Sequence, residues 1–176
     1  MAEFVSEVLD LSRLKRRHLN LLESGCGPGK TYSIVAGLLK QFPALKPDEI
    51  VFATSRSVAA MQQAVHGDFI RFVSDDPEVV EYWAGNRSYD SLSTHGVRVM
   101  TYNRVVWLWS TNAVSNSEGW MGNIKVLILD EAHCLFSDLF MRDVFSVDFI
   151  MGFLINRGDL VIGMTATPDI LLEGLV

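Results

Sequence analysis

Ser24-Gly25-Cys26-Gly27-Pro28-Gly29-Lys30-Thr31 lies between the mostly apolar run Leu19 to Leu22 and a helical pattern that begins at Thr31. Gly25, Gly27 and Gly29 let the backbone turn tightly and direct its N–H groups toward an anion. The helix that follows adds the positive end of its dipole. Lys30 can then reach the outer phosphates of a nucleotide, and the Thr31 hydroxyl can ligate the accompanying magnesium. The stretch reads as a phosphate-binding loop whose nucleotide contacts are Gly25, Cys26, Gly27, Pro28, Gly29, Lys30 and Thr31. Ser24 stands where the pattern usually has its first glycine. A glycine-rich turn that binds nothing is the competing reading, and the strand-loop-helix setting argues against it.

Working outward, the same succession recurs. Leu19 to Glu23 is expected to be a buried strand, and 31–41 a helix with Ile34, Val35, Leu38 and Leu39 against the sheet, closed off by Pro43 and Pro47. Ile50 to Thr54 is a second strand, with a polar turn at Ser55-Arg56-Ser57 and a helical run through Val65 after it. Strand, turn and helix repeated in this way predict an α/β fold with a mostly parallel sheet and helices on both faces. Residues 69–73 suggest a further strand, 77–84 a helix and 85–95 a loop. Val97 to Tyr102 alternates as a strand, and from Asn103 an apolar helix carries Trp107 and Trp109. Tryptophans in such a run are expected in the core rather than stacked on bases. Val126 to Asp130 is continuously apolar until its last residue, the mark of a strand covered on both faces. A helical region over 138–156 then leads to a last strand, Leu160 to Met164.

The amino-terminal residues 2–14 have apolar side chains at helical spacing and are expected to form a short extension over 1–18, ahead of the main domain at 19–176. Lys15-Arg16-Arg17-His18 reads either as a solvated helix end or as a basic patch near the nucleotide or nucleic acid. The whole, 176 residues with 49% apolar and 20% charged side chains, suits one domain with a buried sheet. A net charge of −6 argues against coating nucleic acid by bulk charge, though a local groove remains open. There is no signal-peptide pattern and no 18-residue apolar run, so no membrane association is expected and the cytoplasm is the expected compartment. Cys26 and Cys134 are too few for a disulfide framework. Cys26 reads as a small loop filler or, beside a helix start and Lys30, as a reactive thiolate; Cys134 reads as core.

Asp130 ends a fully buried strand, where ligands bind in open α/β sheets. There it can hold magnesium through water, as the acidic residue of a phosphate-loop enzyme does. Glu131 turns to the other side of the backbone and can orient and deprotonate the water that attacks the γ-phosphate. The alternative is a helix start that merely favours acidic residues.

Gly29-Lys30-Thr31, Asp130-Glu131-Ala132-His133 and Thr165-Ala166-Thr167 resemble motifs I, II and III of superfamily 2 helicases and translocases of the DEAH-box style, in order and at strand ends. Thr54-Ser55-Arg56 resembles motif Ia, and Val99-Met100-Thr101-Tyr102 a later motif that contacts the nucleic-acid backbone. Ser57 to Met61 is similar, more loosely, to flavivirus-type viral helicases, for which the compartment would be the host-cell cytoplasm. The resemblance spans about 20–168. It implies a RecA-like ATP-binding domain in which Lys30 and Thr31 bind ATP and Mg2+ and Asp130 and Glu131 support hydrolysis. It further implies that His133, Thr165 and Thr167 couple nucleotide state to strand binding, and that Arg56 and Thr101 touch single-stranded DNA or RNA. No adenine-reading glutamine motif precedes the loop. The family completes its site with an arginine finger from a second RecA-like domain, which these residues do not contain, so the expectation is the first half of a motor.

Other classes fit less well. A nucleotide-dependent interaction module without unwinding needs neither Glu131 nor the motif III threonines. A GTPase would read guanine through a box after a strand, whereas Asn156-Arg157-Gly158-Asp159 precedes one. A small-molecule kinase needs an arginine-bearing lid, and none is evident.

Overall fold

The computed structural model describes residues 11–23, 30–55, 72–73, 96–107, 123–134 and 159–166. Six strands form one sheet: β1 (Leu19–Glu23), β2 (Ile50–Thr54), β3 (Phe72–Val73), β4 (Val97–Thr101), β5 (Val126–Leu129) and β6 (Leu160–Thr165). Their order is β1-β6-β5-β2-β4-β3, and every pairing is parallel. The expected mostly parallel α/β sheet is what is found. Of the strand expected over 69–73, Phe72–Val73 form β3, and 69–71 lie outside the described residues.

Period-two alternation divides the side chains between two cores. Ile50, Phe52, Val97, Val99, Val126, Ile128, Ile162 and Met164 pack on one face with Ile34, Val35 and Leu38 of helix α1 (Lys30–Gln41). Val51, Ala53, Met100, Leu127, Leu129 and Val161 face the other way, against Tyr102 and Val105 of a helical turn over 102–107. Both faces of β5 are therefore covered, which is why its sequence is apolar without alternation. Each such fully buried aliphatic side chain contributes about 1.5–3 kcal/mol.

α1 closes at Gln41, where Phe42 N–H still reaches the Leu38 carbonyl at 2.8 Å and Pro43 follows. At Gly37 the missing side chain admits Leu11, whose Cδ1 would lie 2.7 Å from an added Cβ. Leu11–Arg13 is a 3-10 turn, and the rest of the helix expected over 2–14 lies largely outside the described residues, which leave out 1–10. The elements expected over 55–65, 77–84, 85–95 and 138–156 lie largely or wholly outside them too.

The amino end of the sheet is stitched by polar contacts. Asn20 Nδ2 donates to the carbonyls of Lys15, His18 and Val161 at 2.9, 3.1 and 3.0 Å, and its Oδ1 accepts from Lys15 N–H at 2.8 Å. Lys125 N–H donates to the Glu49 carbonyl at 2.8 Å, and Leu160 N–H to that of Lys125 at 3.0 Å. Lys15 to His18 form an exposed turn with Arg17 in the left-handed region (φ 60°), not a helix end. That turn enters β1 at the amino end of the strands, Arg17 N–H donating to the Asp159 carbonyl at 3.4 Å, opposite the end that bears Asp130 and Thr165. Among the described residues no helix is long and apolar enough to cross a membrane.

Candidate functional site

Because the described strands all run the same way, Thr54, Thr101, Asp130 and Thr165 all lie at the carboxyl edge of the sheet. β1, β6 and β5 are neighbours, with Glu23 opposite Thr165 and Leu129 opposite Gly163 in the register. The end of β1, the Thr165 hydroxyl and the turn beginning at Asp130 are thus set side by side. α1 starts at Lys30, its first turn carries no acidic residue, and Thr31 is buried. A helix start of that composition presents unopposed positive charge to an anion.

The turn from Asp130 to His133 is fixed by its neighbours. Asp130 N–H donates to Ala53 of β2 and Ala132 N–H to Met164 of β6, each at 2.8 Å. The Asp130 carbonyl accepts a hydrogen bond from the Tyr102 hydroxyl. Ala132 sits over Gly163, where an added Cβ would lie 3.1 Å from Ala132 Cβ and 3.2 Å from Leu21 Cδ2. Between these anchors Glu131 takes a left-handed backbone (φ 52°), uncommon for a side-chain-bearing residue and found where function demands it. His133 turns back toward β6, with Nδ1 3.0 Å from Thr165 Oγ1 and 3.4 Å from Glu131 Oε2, and Nε2 3.6 Å from Cys134 Sγ. One imidazole therefore touches both the candidate base and the candidate coupling threonine.

Charge in the turn is crowded. Burial, then the Glu131 carboxylate, push the Asp130 carboxyl above its ordinary range, against the opposing pull of Lys30 and the Glu131 N–H. Burial, reinforced by Asp130, Cys134 and Glu131, raises the Tyr102 phenol well above its usual value, so its hydroxyl stays a donor. Among the described residues no cluster of three or more metal-ligating side chains occurs. Magnesium suits such a place, since it is held by one or two carboxylates and the substrate phosphates rather than by a protein cage. Asp130 and Thr31 are the residues that would hold it, and its charge would relieve the crowding at Asp130.

Further along the edge, Thr54 of β2 and Thr101 of β4 are partners in the register. Thr101 Oγ1 accepts Arg104 N–H at 3.3 Å and so caps the 102–107 turn. Of the residues singled out from sequence, Lys30, Thr31, Thr101, Asp130, Glu131, His133 and Thr165 all belong to this edge. Gly25, Cys26, Gly27, Pro28, Gly29, Arg56 and Thr167 lie outside the described residues, as does Trp109. Trp107 corrects the core expectation: it is 54% exposed, with the Arg104 guanidinium 4.6 Å from its ring centroid. Helical phase explains this, since Tyr102 and Val105 take the buried face. Cys134, expected in the core, is partly buried at its margin. The sequence reading missed the Tyr102 bond and the Gly163 notch. A glycine inside a buried strand marks close approach, and a buried tyrosine needs a hydroxyl partner, but neither signal names the residue it meets.

A family model described as the type III restriction enzyme, res subunit, matches residues 2–170. The chain superposes on the Hef helicase domain of Pyrococcus furiosus with a TM-score of 0.53 and 18% identity, covering 90% of this chain and 33% of that one. A nuclease-deletion mutant of the type ISP restriction-modification enzyme LlaGI, in complex with a DNA substrate mimic, matches at a TM-score of 0.46 and 16% identity, covering 89% and 16%. The chain thus spans about a third of the Hef structure and less of LlaGI. The Hef likeness bears on the fold alone, and among curated protein sequences none matches.

Proposed function

This chain belongs to the family of the type III restriction enzyme res subunit, and from that premise we propose that it binds and hydrolyses ATP and couples the hydrolysis to gripping a single strand of DNA or RNA. It is a RecA-like domain of the superfamily 2 helicase type. The observation that carries the finer reading is the Asp130–Glu131 turn at the end of β5, held beside Thr165 of β6, with the charge of Lys30 acting on the Asp130 carboxyl.

The loop from Gly25 to Gly29 wraps the phosphates with backbone N–H groups, and Lys30 at the start of α1 draws charge from the outer phosphates. Thr31 and Asp130 would hold the magnesium, which when bound would neutralise phosphate charge. Glu131, held in a left-handed backbone with its carboxylate 3.4 Å from His133 Nδ1, takes a proton from the attacking water. His133, in contact with both Glu131 and Thr165, senses whether the base is engaged, and Thr167 extends that link. Arg56 and Thr101 meet the strand's phosphates, Thr101 from the end of β4. Residues 19–176 form the ATP-binding unit with 1–18 as its extension, and a second RecA-like domain supplies the arginine finger that raises turnover by about 10³–10⁵.

The test is ATP hydrolysis by this chain and by Glu131→Gln, with magnesium, with and without a single-stranded oligonucleotide. A low basal rate is expected, lost in the variant while ATP binding survives and stimulated by one nucleic acid. Absence of ATP binding overturns the reading. Binding and turnover indifferent to DNA and RNA favour a protein-interaction module instead.

A further inference from the structure

The Asp130–Ala132 turn rests on two backbone-to-backbone bonds, to Ala53 and Met164, and on the Tyr102 hydroxyl bonded to the Asp130 carbonyl. The first two are continuations of the sheet, made whatever side chains are present. The third is made by a side chain, and its owner follows directly on Thr101, the last residue of β4. The same Thr101 caps the 102–107 turn through Arg104 N–H. Tyr102 is itself locked, 2% exposed and packed among Met100, Val105, Leu127 and Leu129. A displacement of the turn that Thr101 caps is therefore passed by a rigid ring to the peptide joining Asp130 to Glu131.

We propose that Tyr102 is a positioning residue that ties the candidate nucleic-acid edge at Thr101 to the hydrolytic turn by holding the Asp130 carbonyl, and so sets the aim of the Asp130 and Glu131 side chains. This rests on the function proposed above. Tyr102 touches neither substrate nor metal. Its hydroxyl is not needed to fill the core, since phenylalanine keeps the ring and its packing.

The experiment measures ATP affinity with and without magnesium, and steady-state turnover, for the chain, Tyr102→Phe and Val105→Ala. Val105 lies in the same cluster without a side-chain bond to the turn, so its truncation controls for loosened packing. In Tyr102→Phe, magnesium-free ATP affinity should stay within about twofold, while the gain in affinity brought by magnesium falls about three- to tenfold, KM in the presence of magnesium rising by the same factor, and kcat falls about tenfold, the scale of one lost hydrogen bond. Val105→Ala should lower Tm and keep the magnesium-dependent gain. An unchanged gain and kcat in Tyr102→Phe, or the same losses in Val105→Ala, overturns the proposal while leaving the function standing. Absence of ATP binding by the unmodified chain overturns both. The magnesium-dependent gain decides even where turnover is too slow to follow.

Discussion

His133 Nδ1 and Thr165 Oγ1 lie 3.0 Å apart, joining the turn after β5 to the end of β6 across 32 positions of sequence. The threonine is buried and the histidine partly so, so the contact is shielded from competing water. Since the same Nδ1 is 3.4 Å from Glu131 Oε2, the imidazole chooses between two partners, and the choice is a natural reporter of the base's position. Thr165→Val removes the hydroxyl at nearly constant volume, and His133→Ala removes the ring. Each is expected to cut nucleic-acid-stimulated hydrolysis about tenfold while basal ATP binding holds. Groups that act as a unit are non-additive, so the double variant should be no worse than the weaker single one. Additive losses in the stimulated rate would show that the two residues act separately.

Asp130 carries a prediction on stability. A carboxyl whose folded value is raised stabilises the fold fully only below its unfolded value, and that contribution is lost as pH rises through the folded value. At neutral pH without magnesium the charged group is therefore a cost. Asp130→Asn should raise Tm under those conditions and abolish the magnesium-dependent part of ATP binding, a trade of stability against function. Thermal melts with and without magnesium and ATP check both halves. A variant that melts lower without magnesium would mean that the carboxylate is held by more than it repels.

Gly163 sets how low the hydrolytic turn can sit. A methyl there meets Ala132 Cβ at 3.1 Å and Leu21 Cδ2 at 3.2 Å. The leucine end can rotate, but Ala132 Cβ is fixed to a backbone whose N–H is bonded to Met164. Gly163→Ala should cost about 1 kcal/mol, the low end of overpacking, seen as a Tm lower by about 2–4 °C. It should also slow turnover more than it weakens ATP binding, because the displaced element bears Glu131. Gly163→Val should fail to fold or lose activity outright.

The strands and the edge on which the chemistry sits were legible because both follow from local pattern. β1 and β2 have their expected bounds, and β4, β5 and β6 differ from theirs by a residue at the carboxyl end. Parallel strands with motifs at their ends fix the side of the sheet without knowledge of strand order. What the pattern could not supply is anything that depends on that order or on helical phase. The meeting of Ala132 with Gly163 needs β6 to lie beside β5, and the Tyr102 bond needs the turn after β4 to fold back toward Asp130. Trp107 was misplaced for the second reason. In an apolar run every large side chain looks buried until the phase set by Tyr102 and Val105 leaves one facing out. The cations of Lys15 to His18 stand where a helix end would want them, yet Asn20, through its three carbonyl contacts, holds a strand entry there.

Glu49 and Lys125 give the pH dependence at the far edge. Lys125 Nζ lies 2.6 Å from Glu49 Oε1, and Lys46 N–H donates to Oε2 at 2.9 Å. Burial by itself raises the Glu49 carboxyl, but the bonds from Lys125 and Lys46 and their charges outweigh it, and the net shift is downward. A lowered value contributes stability that is present above the ordinary glutamate range, about 4.3, and is lost as pH falls through the folded value. The lysine is half exposed, so the ion pair itself is worth no more than about 1 kcal/mol. Its backbone matters more, because Lys125 N–H and C=O link the start of β5 to Glu49 and to Leu160. Glu49→Gln keeps an acceptor for Lys46 and removes the charge. Urea melts between about pH 3 and pH 6 should show the unmodified chain losing stability on acidification more steeply than Glu49→Gln, the two curves converging at the acid end. ATP affinity at neutral pH should be the same in both, since this link lies at the opposite end of the strands from Lys30 and Asp130. Parallel acid slopes in the two proteins would assign the acid sensitivity to other carboxylates.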